Sequence, residues 1–219
     1  GSGMRVAMKD LEIRGAGNLL GGEQSGHIAG VGFDLYVRLV GEAVASFRGE
    51  SDDTPAEIKI ELPVDAHLPH DYVPHERLRL EMYKKLASVV DGVELADIEA
   101  ELVDRYGTPP QAVVNLLEVA RLRTVARAAG IADISVQGNH VRFGPVELRE
   151  SQELRLMRLY PGSIIKPALG TILVPKPMTA RVGGRPVRDR EVLAWAGDVI
   201  SSVVMDNVAQ AASVAASRA

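Results

Sequence analysis

The sequence predicts an α+β protein, and three observations carry that expectation. Apolar residues recur at helical spacing through most of residues 75 to 130, short alternating segments separated by turn residues follow from 134 to 174, and a further helical pattern begins near Asp189. Helices gathered before and after a run of strands, rather than alternating with them one by one, point to a small sheet with helices packed on it.

Ahead of that domain stands a different kind of segment. Eleven of the 21 glycines fall in the first 50 residues. Met4, Val6 and Met8 alternate with Arg5, Ala7 and Lys9 as a half-buried strand does, and a glycine-rich stretch without clear periodicity follows. Phe33, Tyr36, Val37, Val40, Val44 and Phe47 then mark one face of a helix, with Asp34, Arg38 and Glu42 spaced for i,i+4 pairs on the other. The polar stretch 51–56 reads as a linker, which divides the chain into a module over 1–50 and an α+β domain over 57–219.

In the second domain, Ile58, Ile60 and Leu62 alternate with Lys59 and Glu61 as a strand that Pro63 ends. Helices are expected over about 75–90 and 93–106, the second closed by Gly107 as a left-handed cap. Thr108, the prolines 109 and 110 and Gln111 have the spacing of a capping box opening a helix that runs to Gly130. Gly138-Asn139 between 134–137 and 140–143 is two-residue hairpin chemistry. A helix near 151–160 stops at Pro161-Gly162, strands are expected over 163–166 and 171–174, and the closing helix, with Asp189 as its cap, carries Leu193, Ala196, Ile200, Val203, Val204, Asn207 and Ala211 on one face.

Composition excludes several kinds of chemistry. With no cysteine there are no thiol nucleophiles, zinc ribbons or disulfides, which fits a reducing compartment. No apolar run reaches the ~20 residues of a membrane span, so no membrane partner is expected and a cytoplasmic location is. The net charge of −4 conceals a gradient: residues 1–50 hold 5 basic and 6 acidic groups, 51–140 hold 9 and 16, and 141–219 hold 11 and 7.

No motif indicates an enzyme. The glycine-rich stretch has no Gly-x-x-x-x-Gly-Lys-Ser/Thr and no dinucleotide fingerprint, so tight turns explain its glycines better than a nucleotide site does. His67, His70 and His75 with Asp71 are interrupted by Pro69 and Pro74, and read as a solvated turn rather than a metal centre. Ser25, Ser151 and Ser163 lack a nucleophile elbow. Lys176, Arg181, Arg185, Arg188 and Arg190 lie close together with Asp189 as their only acid, either as a solvated or internally paired face or as a contact for phosphate or an acidic partner.

The stretch from Asp10 to Gly26, DLEIRGAGNLLGGEQSG, followed by VGFDLY over 31–36, resembles the translocation motif of the bacterial transcription-repair coupling factors. Its shorter core, DLEIRG with Gln24 ten residues after Arg14, is similar also to the branch-migrating helicase RecG. EIKIEL over 57–62, RLRLEMYKKL over 77–86, ELVDRYGTPP over 101–110 and ARLR over 120–123 resemble the coupling factors' C-terminal domain, which RecG lacks. The resemblance weakens after about residue 145.

That resemblance implies a helical hairpin and loop, at the end of the second motor lobe, that relays ATP-driven movement to double-stranded DNA. Arg14 and Gln24 would be its coupling residues, with Glu12 orienting them. An Arg fork binds phosphate or carboxylate bidentately, and an uncharged Gln changes partners at little electrostatic cost. Arg14 paired simply with Glu12 or Asp10 is the plainer alternative.

For the second domain the resemblance implies regulation. It would dock on a UvrB-like module of the parent protein, mask the surface that recruits UvrA, and restrain the motor until RNA polymerase is engaged. ATP and magnesium would belong to the parent's motor lobes, and this part would hold no cofactor and no catalytic residue of its own. Deprived of its motor lobe, the N-terminal module is expected to pack on the second domain or on another copy, giving a dimer. The rival expectation is a stand-alone nucleic-acid-binding module using Arg14 and the basic stretch 176–190.

Overall fold

In the computed structural model, which describes residues 58–205, the alternation of Ile58, Ile60 and Leu62 becomes strand β1, Lys59–Glu61. The expected strand at Met4–Met8, the glycine-rich stretch with Glu12, Arg14 and Gln24, the helix over 33–47 and the linker at 51–56 all lie outside the described residues. So does the closing helix beyond 205.

Three helices follow β1: α1, Glu76–Ser88; α2, Gly92–Tyr106; and α3, Gln111–Ala128. Asp91 starts α2 by accepting the Glu94 N–H at 2.9 Å. Gly107 ends it with φ +83 and ψ −162, so the stop needs positive φ but is not the left-handed helical cap expected. The capping box at 108–111 is also corrected. Pro110 is itself the residue before the first turn, no side chain caps that end, and the Gln111 amide instead donates to Asn115 Oδ1 at 2.9 Å.

The hairpin forms as its turn residues dictate. Strands β2, Asp133–Gln137, and β3, His140–Gly144, pair antiparallel with Gln137 opposite His140, and Gly138 adopts φ +60. Helix α4, Glu150–Leu159, then leads into β4, Ile164–Lys166, a single 3-10 turn at Pro167–Leu169, and β5, Thr171–Pro175. Helix α5 covers Asp189–Val199.

The sheet order is β1-β2-β3-β5-β4. Only β1 and β2 run parallel, so the chain must return along the sheet between them, and α1, α2 and α3 make that crossover. Pairing places Ile60, Ile134, Phe143, Ile172 and Ile165 in one row across all five strands. A second row is Val136, Val141 and Val174. Each fully buried member of these rows contributes about 1.5–3 kcal/mol from area removed from water.

Helix α3 is buried on most of its circumference, as a helix packed between layers must be. It lies against α5 and α2, while α1 contacts both α2 and α3. Trp195 of α5 meets Phe143 at 5.9 Å and Tyr160 at 6.4 Å between ring centroids, which ties the closing helix to the sheet.

After Val199 the helix widens into a π turn, Ile200–Val204, closed by Met205 N–H donating to Ile200 O at 2.8 Å. Ser201 and Ser202 donate their hydroxyls to Gly197 O and Asp198 O, and such back-bonding competes for carbonyls that an α-helix would use. Gln152 of α4 donates to Val203 O at 3.0 Å, fixing α4 to this turn.

Among the described residues, the motifs over 77–86 and 101–110 that contribute to the family resemblance make internal contacts. Tyr83 is fully buried, and its hydroxyl accepts the Leu68 N–H at 2.8 Å. Tyr83→Phe leaves that buried N–H without this acceptor, and is expected to cost about 1–3 kcal/mol. Chemical denaturation checks this, with an unchanged midpoint as the contrary result. Tyr72 donates to Gly107 O at 2.9 Å and packs on Tyr106, and burial first, then Tyr106, raises its phenol pKa.

Lys85 of α1 holds both oxygens of Glu101 on α2 at 2.8 Å, and Arg105 adds a contact at 3.1 Å. Those hydrogen bonds, the Lys85 one first, hold the Glu101 carboxyl below its ordinary pKa. A depressed folded pKa means stability that is present above the unfolded value and lost as pH falls through the folded one. Glu101→Gln should therefore cost about 0.5 kcal/mol at neutral pH, and the difference should fade in acid. Denaturation midpoints across that pH range check it.

Candidate functional site

The basic stretch singled out in the sequence forms a narrow arm between β5 and α5. Lys176 N–H donates to Asn139 O at 2.9 Å as the chain leaves the sheet. Val187 N–H then donates to Pro177 O at 2.9 Å, Met178 bridges Pro186 antiparallel, and Thr179 N–H donates to Arg185 O at 2.8 Å. The Thr179 hydroxyl accepts the Arg185 N–H at 3.0 Å. Residues 177–187 are thus a small hairpin whose reversal holds Arg181 and Val182.

Gly184 makes that reversal sterically feasible. A Cβ there would lie 2.3 Å from Ala180 O and 2.5 Å from Ala180 N, closer than any real contact. Gly184→Ala should open the arm while leaving the sheet intact. Amide exchange at Thr179 and Arg185 should accelerate in that variant, with Val141 and Val174 unchanged.

The arm is fastened at its root by a polar clasp. Asp189 stands at φ +53, a left-handed conformation that Asp tolerates better than most residues. Its N–H donates to Pro63 O at 2.9 Å, and its Oδ1 accepts the Asp65 N–H at 2.8 Å. Buried Asn115 donates to Asp65 O at 2.9 Å, so α3, the segment after β1 and the start of α5 meet at one point. Asp189 was expected to cap its own helix. Its carboxylate is committed to Asp65 instead, and no side chain caps α5.

Arg181, Arg185, Arg188 and Arg190 are all exposed. Among the described residues no ion pair holds the side chains of Arg181, Arg185 or Arg190. Beside them Met178 is 48% and Val182 90% exposed. Arg188 and Arg190 flank the first residue of α5, where the helix dipole is positive and repels them. Such a site can hold phosphate or carboxylate oxygens, since each guanidinium offers a planar fork of donors.

His67 Nδ1 lies 3.0 Å from Asp65 Oδ1, His75 immediately precedes α1, and no group of ligands suited to a metal occurs among the described residues. Ser163 donates to Tyr160 O, and Ser151 is exposed on α4. The clasp of Asp65, Asn115 and Asp189 was not read from the sequence, because its members lie 50 to 124 positions apart. No helix among the described residues is long and apolar enough to cross a membrane.

Comparison with known proteins follows the same outline. Residues 62–156 match the family model of the TRCF domain, which ends before the arm begins. The transcription-repair-coupling factor of Mycobacterium bovis is 46% identical over 215 residues, 93% of this chain but 17% of that protein. The factor of Staphylococcus haemolyticus is 44% identical over 143 residues, 64% of this chain and 12% of the relative. Among solved structures, the C-terminal domain of a transcription-repair coupling factor aligns with a TM-score of 0.51 at 18% identity, covering 66% of this chain and 92% of its own, a likeness of fold. The chain therefore belongs to the transcription-repair coupling factor family and corresponds to its C-terminal region.

Proposed function

We propose that this chain is the transmission element and brake of a DNA translocase whose force is generated elsewhere. One observation carries the reading: the identity to the Mycobacterium bovis factor spans 93% of the chain, so it takes in most of the glycine-rich module as well as the α+β domain. In this reading Arg14 and Gln24, oriented by Glu12, relay movement of motor lobes that bind ATP and magnesium to double-stranded DNA. The α+β domain docks on a UvrB-like module, masks the surface for UvrA, and is released when the parent engages RNA polymerase. The whole protein would then displace stalled polymerase and recruit excision repair. Buried Tyr83 of α1, bonded to the Leu68 N–H, and Tyr72, bonded to Gly107 O at the end of α2, support it, since a docking element works by presenting a fixed surface.

Calorimetric titration of the chain with the UvrB-like module tests the docking. Saturable heat at micromolar concentrations is expected, and no heat at tens of micromolar contradicts it.

A further inference from the structure

We propose that the arm over 177–187, together with Arg188 and Arg190 at the start of α5, is a contact for the phosphate backbone of double-stranded DNA. This contact is separate from the motor and from the docking reading above. Arg181 and Arg185 are exposed on the arm and Arg188 and Arg190 are exposed at its root, where Asp189 Oδ1 is engaged by the Asp65 N–H and Glu191 is the other acid beside them. Arg188 and Arg190 stand where the dipole of α5 disfavours cations. Phosphate oxygens at that position would be attracted by both the arginines and the helix end.

Shape points the same way. A two-stranded ribbon is narrow enough to enter a DNA groove, and here the hairpin is closed by the Met178–Pro186 bridge, the Thr179–Arg185 bonds and the close passage of Gly184 over Ala180. Val182 sits beside Arg181 in the reversal and is 90% exposed. An exposed apolar side chain beside an arginine is chemistry that minor-groove binders use. The clasp at Asp189 anchors the arm to α3, so a load on the arm would be carried into the core rather than absorbed by a loose loop.

The test is fluorescence anisotropy of the whole chain with a short mixed-sequence DNA duplex. If three phosphates are neutralised, each adding about 0.9 to the logarithmic salt slope, affinity should fall roughly 40-fold between about 50 and about 200 mM salt. Replacing Arg181→Gln and Arg185→Gln together should weaken binding on the order of tenfold at low salt and lower the slope by about two. Arg14→Gln should leave both that loss and that slope change in place.

The melting profile of the double variant checks folding. Should it change, Arg190→Gln alone serves, with a slope loss of about one expected. Unaltered affinity and slope in the arm variants would overturn the inference, as would binding abolished by Arg14→Gln alone. Polyglutamate competing as well as duplex DNA would also overturn it, by marking the arm as a site for an acidic protein. Because the UvrB-like module is absent from this experiment, its result is independent of the docking titration.

Discussion

Phe143→Ala should be the most damaging single substitution in the sheet, lowering stability by about 3–5 kcal/mol. Phe143 is fully buried at the centre of the row that crosses all five strands, between Ile134 on β2 and Ile172 on β5. Its ring also meets Trp195, the contact through which α5 closes over the sheet. Truncation removes the transfer energy of an aromatic ring and leaves a hole that the neighbouring β-branched isoleucines, limited at χ1, fill poorly. A melting temperature lower by on the order of 10 °C is expected, together with a changed Trp195 fluorescence. A loss under about 1 kcal/mol would mean that the row is not the centre of the core.

Arg79→Met should cost about 2–4 kcal/mol although it exchanges a charged residue for an apolar one of similar length. Arg79 is 5% exposed, and its Nη1 donates to Val73 O at 2.7 Å and Pro74 O at 3.1 Å. Those carbonyls belong to the turn preceding α1, and Val73 is itself fully buried. Methionine fills the space but offers no donor, so the Val73 carbonyl loses this partner inside the protein. Arg79→Lys, which keeps one charge and shorter reach, should recover only part of the loss. Urea denaturation of the three proteins separates the outcomes, and equal stability of the Met variant and the parent would contradict this role.

These two residues also show what the sequence makes visible. Phe143 was legible as a strand residue because Gly138-Asn139 fixes a tight hairpin and the alternation sets its face. Its neighbours across β5 and β1 were not, since sheet order depends on pairings far apart in the chain. Arg79 stood in a recognisable family motif, but only the fold reveals that it satisfies carbonyls rather than contacting a ligand.

The arm divides in the same way. The clustering of its arginines was legible in the sequence while their exposure was left open, and the hairpin at 177–187 has no alternating apolar pattern to announce it, its pairing depending on Thr179 and on space beside Ala180. Asp189 misled because a helix-start Asp ordinarily caps its own turn; Asp65, 124 residues away, competes for it and wins. The π turn was equally hidden, since Ser201 and Ser202 fit a helical spacing until their hydroxyls reach the preceding turn.

Phosphate release from ATP is the sharpest test of the proposal that this chain is a transmission element and brake without a motor. The purified chain, given magnesium and duplex DNA, should release phosphate no faster than buffer alone. Sustained release that scales with protein concentration and rises with DNA would show a nucleotide site within these residues and refute that proposal.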